Sequence, residues 1–385
     1  MSALLDRFNS PHPKKILSLD GGGIRGALTL GYLKKMEDIL KTKFHDSPGF
    51  RLSDYFDLIG GTSTGSIIAA SLAIGKTVDE ITKLYMDLGG KIFGEKRNWW
   101  NPMETMKWLK ANYNYKAMED GLRLAFGDIT LGGKELKTGL CIVAKRADTN
   151  SIWPLINHPN GKFYDSENGK NKNIPLWQAV RASSAAPTYF APQMIEVQQG
   201  QQAAFIDGGL SMANNPALTL LMIATLKGFP FRWEMSEKNL LLVSVGTGYS
   251  VYKKYVKEID DSTMLSWAAN IPDMLMQDAS WQNRVMLQWL SQSPTADYMD
   301  MEIEKMDGDL LAGKPLISYL RYNFCMTEKE LNALGLKRIF TAADVKSLTD
   351  MSIADNRQLL YQVGYKASVA IQPAHFENFQ ELYVQ

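Results

Sequence analysis

The chain has 385 residues, 45% apolar and 22% charged, a globular composition that excludes disordered, collagen-like and disulfide-scaffold classes. Its 42 Lys plus Arg against 41 Asp plus Glu leave a formal charge of +1, so no global field draws it to a nucleic acid polymer or an anionic membrane. Cys141 and Cys325 have neither CxxC nor metal-ligand spacing and read as reduced core thiols. The opening MSALLDRFNSPHPKK holds no apolar stretch of signal-peptide length, and no window reaches the ~20 apolar residues of a membrane span. The expected location is cytoplasmic, with peripheral contact at an inner membrane surface.

In chain order, residues 16–20 (ILSLD) form an apolar run ending in an acid, followed by three glycines and a helical pattern from Ala27 to Leu40. Strand, turn and helix recur at 55–61 (YFDLIGG), the turn 62–64 and the small apolar residues up to Ala73. Further strands are expected at 139–145 (GLCIVAK), 203–207 (AAFID) and 240–246 (LLLVSVG). Helices are expected at 175–185 and 216–226, each opened by a proline, with loops at 165–173 and 198–202. Past Gly248 the texture changes to Trp, Met and Gln over 264–290, then a strand-like ISYLRYNF (317–324) and helical patterns. The reading is a three-layer α/β/α sandwich with a central, mainly parallel sheet over residues 10–250. Residues 251–385 form a mostly helical C-terminal extension packed on it as a cap or regulatory element.

The sharpest motif is Gly61-Thr62-Ser63-Thr64-Gly65, where an apolar strand meets a small-residue helix. In such an elbow, glycines permit a tight turn that lifts the serine hydroxyl above the sheet at a helix N-terminus. The second motif, Asp20-Gly21-Gly22-Gly23-Ile24-Arg25-Gly26, also joins strand to helix, and consecutive glycines let N–H groups face one cavity as an oxyanion hole requires. Gly21, Gly23 and Gly26 equally satisfy a phosphate-cradling G-x-G-x-x-G. A dinucleotide site, however, wants an acidic residue ~20 positions on, at the end of a second strand, and a basic loop lies there instead. The third motif, Ile206-Asp207-Gly208-Gly209, is by itself only a strand-ending turn.

Together, DGGGIRG, GTSTG, the segment VRASSAAPTYFAP (180–192) and a strand ending in DGG resemble the patatin-like phospholipase family, in family order over the first half of the chain. The resemblance implies a dyad, with Ser63 as nucleophile and Asp207 as its base. It further implies oxyanion donors at Gly22 and Gly23, with Gly21 shaping their turn. Arg25 fills the family's basic position, steadying the loop or meeting a phosphate. Gly26, Gly61, Gly65, Gly208 and Gly209 support these turns, and neither metal nor cofactor is expected. The implied reaction is hydrolysis of a phospholipid or lysophospholipid ester through an acyl-enzyme.

A triad would need an imidazole, and the chain holds only His12, His45, His158 and His375. His375 alone gives the order Ser, Asp, His of α/β-hydrolases, but IQPAHF follows a helical stretch rather than a final strand. Alternatives on the same dyad are a neutral esterase or an acyl-CoA thioesterase. From another class, the alternative is a nucleotide-sensing module that uses the glycine loop with Ser63 inert.

Ser183 and Ser184 read as packing residues, and Gly246-Thr247-Gly248 as a strand-ending turn without chemistry. Residues 98–108 (NWWNPMETMKW) and 264–290 offer adaptable apolar bulk for lid packing or for transient contact with a membrane. The C-terminal block loosely resembles bacterial patatin-like effectors switched on by cyclic oligonucleotides in antiviral defence, which implies a cyclic nucleotide activator. Arg284, Lys314 and Arg321 are candidates to meet such an anion. Oligomeric state is not legible.

Overall fold

A computed structural model of the chain describes residues 2–382 apart from 45, 46, 48, 94–114, 168, 188, 251–255, 261 and 262. The apolar runs pair into one sheet of β1 (Lys14–Leu19), β2 (Leu58–Thr62), β3 (Gly139–Arg146), β4 (Ser151–Ile156), β5 (Gln193–Gln198), β6 (Gln201–Asp207), β7 (Leu240–Val245) and β8 (Ser318–Tyr322). The order is β5-β6-β3-β2-β1-β7-β8, with β4 also paired to β3. From β3 through β2, β1 and β7 to β8 the strands are parallel; β4, β5 and β6 are antiparallel additions.

The helices that cover this sheet include α1 (Gly26–Lys43), α2 (Thr64–Ala73), α3 (Val78–Phe93), α4 (Tyr115–Phe126), α5 (Leu176–Ser183), α6 (Ala217–Thr225), α7 (Met264–Trp289) and α8 (Arg357–Ala367). Successive strand residues point to opposite faces. Leu17, Leu19, Ile59 and Val243 pack with Leu33 of α1 and Ile68 of α2, while Ile16, Leu58, Val143 and Leu242 pack with Leu220 and Leu221 of α6. A parallel sheet buried on both faces favours apolar residues at most positions, which is why these strands read as near-continuous hydrophobic runs.

Two strands carried no such signal. β4 contains Pro154, which lacks a ladder donor, and it lies beside β3 on an edge where that loss is tolerated. β5 alternates buried Ile195 and Val197 with exposed Gln and Glu at the sheet's end, a short half-polar pattern. The run 55–61 also begins differently. Asp54 accepts the Arg51 N–H at 2.7 Å and closes a helical turn over Leu52–Tyr55, so β2 starts only at Leu58.

The residues beyond 250 are built into the same body, since β8 pairs with β7. α8 lies backbone to backbone on α1: a Cβ on Gly31 would stand 2.3 Å from the Tyr365 nitrogen, and one on Gly364 2.0 Å from the Leu28 carbonyl oxygen. Cys141 is buried in the core and Cys325 is half-buried, and both are free thiols. The apolar segment 98–108 and His45 lie outside the described residues.

Candidate active site

β4 occupies one edge of β3 from Cys141 to Arg146, so β2 and β6 share the other edge. They approach along it from opposite ends: Thr62 of β2 pairs with Val143, and Asp207 of β6 pairs with Ala144. The residue after Thr62 is Ser63. Two strands separated in sequence by more than a hundred residues thus terminate against adjacent positions of a third. The Ser63 hydroxyl donates to Asp207 Oδ2 at 2.6 Å.

The elbow is strained as such turns require. Ser63 has φ 53° and ψ −125°, a conformation a non-glycine residue adopts only when its surroundings over-determine it. Gly61 and Gly65 make it sterically possible: a Cβ on Gly61 would stand 2.2 Å from the Gly65 carbonyl oxygen, and one on Gly65 2.3 Å from the Leu19 carbonyl oxygen. Ser183 holds the turn from outside, its Oγ accepting the Ser63 N–H at 2.9 Å while donating to the Val143 carbonyl at 2.6 Å. That is more than packing. Ser184 is also buried and lines the cleft, and its hydroxyl has no partner among the described residues.

Asp207 is buried, and burial pushes its carboxyl up from 3.8 to about 6. The Ser63 hydroxyl and the Gly209 N–H, the latter 2.7 Å from Oδ1, pull the other way without cancelling that cost. Gly208 is where β6 turns away, since a Cβ there would meet the Val143 carbonyl oxygen at 2.4 Å.

The glycine loop lies across from this pair. The Gly21 N–H donates to the Asn214 carbonyl and the Ile24 N–H to the Met351 carbonyl, both at 2.9 Å. Between them, the N–H groups of Gly22 and Gly23 have no acceptor among the described residues, and both residues line the same cleft as Ser63 and Asp207. Gly23 has φ +56° and sits so near Met351 that a Cβ would stand 2.5 Å from its carbonyl oxygen. Arg25 closes the short helical turn after it, half-buried, and Gly26 abuts the Tyr85 hydroxyl of α3.

The cleft holds about 370 Å³, and its walls are mostly apolar, with Ile67, Leu88, Met118, Phe190, Met276 and Met351 facing the polar floor. Asn214, Thr247 and Met351, which shape the loop, carried no motif signal because each acts through a backbone group or a contact made by distant chain. His375 lines a different cleft, its Nδ1 2.7 Å from the Tyr322 hydroxyl. Arg321 does not stand free for an anion: it is buried and grips Asp20, with Nη2 2.6 Å from Oδ2. Arg284 pairs with Asp297 at 3.2 Å.

A strained serine between sheet and helix, hydrogen-bonded to a buried carboxylate beneath unpaired glycine N–H groups, is the arrangement of a nucleophile elbow on an α/β fold. The chain belongs to the patatin-like phospholipase family, whose model matches residues 17–221. It is 31% identical over 240 residues to a cGAMP-activated phospholipase of Escherichia coli strain TW11681, covering 60% of this chain and 62% of that protein. It is 34% identical over 214 residues to a cGAMP-activated phospholipase of Vibrio cholerae, covering 53% and 55%. It is 31% identical over 250 residues to a cUMP-AMP-activated phospholipase of Escherichia coli, covering 64% and 68%. The chain thus spans less than two thirds of the length of the first two.

Proposed function

We propose that the chain hydrolyses carboxylic esters of phospholipids or lysophospholipids with Ser63 as nucleophile and Asp207 as base. The observation that carries this reading is the 2.6 Å hydrogen bond from Ser63 to Asp207 on the floor of an apolar cleft. Asp207 takes the hydroxyl proton as Ser63 Oγ attacks the ester carbonyl, and the N–H groups of Gly22 and Gly23 stabilise the oxyanion. The alcohol or lysolipid leaves with that proton, and water activated by Asp207 then releases the fatty acid from Ser63. A carboxylate of ordinary acidity is a poor base for a serine; the upward shift of Asp207 narrows that gap.

Substrate reaches the site from a membrane surface. On the first half of α7, Met264, Trp267, Ile271, Met274 and Leu275 are exposed at helical spacing, while the adjoining Met276 lines the cleft. That face lays its side chains into the lipid interface of the inner membrane from the cytoplasmic side. Among the described residues no helix is long and apolar enough to cross a membrane.

Residues 251–385 act as the regulatory part, supplying Met351 against the glycine loop and β8 to the sheet. By analogy with relatives named for activation by cGAMP or cUMP-AMP, a cyclic dinucleotide switches the hydrolase on, as suits a defence effector working beside its own membrane. The test is fatty-acid release from phosphatidylethanolamine–phosphatidylglycerol vesicles by the full chain, with and without each dinucleotide. Release that depends on Ser63 and rises with one dinucleotide supports the reading; release that Ser63→Ala does not reduce overturns it.

A further inference from the structure

The described residues enclose a second cleft of about 430 Å³ at the end of β8, within the range of small-molecule sites. Arg321, Tyr322 and Asn323 come to it from β8 and the residue after it, Lys305 from the preceding loop, and Gln372 and His375 from the C-terminal turns. Two of these are cations, Lys305 exposed and Arg321 held by Asp20, and among the described residues no carboxylate lines the cleft. Exposed Lys305 beside an imidazole, a phenol and two side-chain amides makes a wall for an anion that carries flat, polar rings. A ligand of that kind would set a phosphodiester on Lys305 and a base against the His375 ring, with Gln372 offering both a donor and an acceptor to the base edge.

This cleft is joined to the glycine loop by two routes. Arg321 Nη1 and Nη2 hold Asp20 at 3.0 and 2.6 Å, and Nη1 also reaches Ser244 Oγ at 2.6 Å. Asp20 directly precedes Gly21. The Nε of Arg321 has no acceptor among the described residues, so the guanidinium keeps a donor that a ligand oxygen can claim when the side chain turns. By the second route, Asn323 Oδ1 accepts the Gly248 N–H at 2.8 Å. The neighbouring Thr247 hydroxyl donates to the Gly21 carbonyl at 3.2 Å, and a Cβ on Gly22 would stand 2.3 Å from that hydroxyl oxygen. Two side chains of the cleft wall, buried Arg321 and half-buried Asn323, therefore bear on Asp20, Gly21 and Gly22.

We infer that this cleft is the activator site: it takes an anionic cyclic dinucleotide, and Arg321 and Asn323 convert its occupancy into the position of the oxyanion loop. The inference rests on the dinucleotide-gated reading above. A ligand that engages Arg321 differently in two loop positions has what coupling requires, a differential contact, and such coupling is typically worth roughly 5- to 150-fold in affinity or population.

Equilibrium binding of cGAMP and of cUMP-AMP to the full chain tests it, with Lys305→Glu reversing the exposed cation and Ala370→Trp filling the cleft from an exposed position on its rim. Nucleotide-free melting curves check that both variants fold. The chain is expected to bind at least one of the two dinucleotides, and each variant to bind it about tenfold more weakly or worse. Undiminished binding by both folded variants overturns the site and leaves dinucleotide gating standing. No binding of either dinucleotide by the unaltered chain overturns both.

Discussion

Asp207 receives the Ser63 hydroxyl because the strands that carry the two residues end on neighbouring positions, Val143 and Ala144, of one edge of β3. The pairing is therefore a property of sheet topology more than of either loop. Replacing the carboxylate by an amide keeps the shape and removes the base, so Asp207→Asn is expected to lower kcat for ester hydrolysis by roughly 10²- to 10⁴-fold while the chain stays folded. Steady-state kinetics on a soluble short-chain ester measure this.

The same residue sets a pH dependence. With its carboxyl near 6, Asp207 is a base only above that value, so kcat/KM is expected to rise with pH, reach half its plateau near 6 and fall about tenfold per unit below. Stability runs the other way. A folded-state value raised above 3.8 favours the folded protein fully below pH ~4, an advantage lost as pH rises through about 6, where ionising the buried group costs about 3 kcal/mol. Asp207→Asn is therefore expected to raise the melting temperature at pH 8 and to change it little at pH 4.

Ser183 fixes the elbow without touching substrate, by accepting the Ser63 N–H and donating to Val143. Ser183→Ala leaves that N–H without its acceptor and lets the strained turn relax. The expected result is a loss of roughly 10- to 100-fold in kcat with KM little changed, and a cost of about 1–3 kcal/mol in denaturant unfolding. A merely packing serine would move neither.

The buried pair of Asp20 and Arg321, 301 residues apart in sequence, ties the start of the glycine loop to β8. Removing one partner strands a charge in the interior, so Asp20→Asn and Arg321→Met are each expected to destabilise by about 3–5 kcal/mol. The double variant should cost less than the sum, because no lone charge remains. Urea unfolding of the four proteins reads this coupling.

The parallel strands and the turns at Gly21, Ser63 and Asp207 were legible because near-continuous apolar runs followed by glycines have few other uses. What escaped was the work of residues that act at a distance. The hydroxyl of Ser183, the Asn214 and Met351 carbonyls and the Thr247 side chain meet the site only once the sheet has formed, and a serine or threonine in a small-residue stretch carries no sign of it. The ion pair of Arg321 escaped for the same reason: in sequence it is one basic residue in SYLRYNF, and only the pairing of β8 with β7 buries it against Asp20. β4 was hidden by Pro154, whose missing donor costs little on the edge it occupies.

The most direct measurement of the Ser63–Asp207 mechanism is intact-mass spectrometry of the full chain treated with a fluorophosphonate. The expected result is a single adduct on Ser63, absent from Ser63→Ala and formed at least about 100-fold more slowly in Asp207→Asn. A folded chain that takes no adduct, or one whose labelling survives Ser63→Ala, would contradict it.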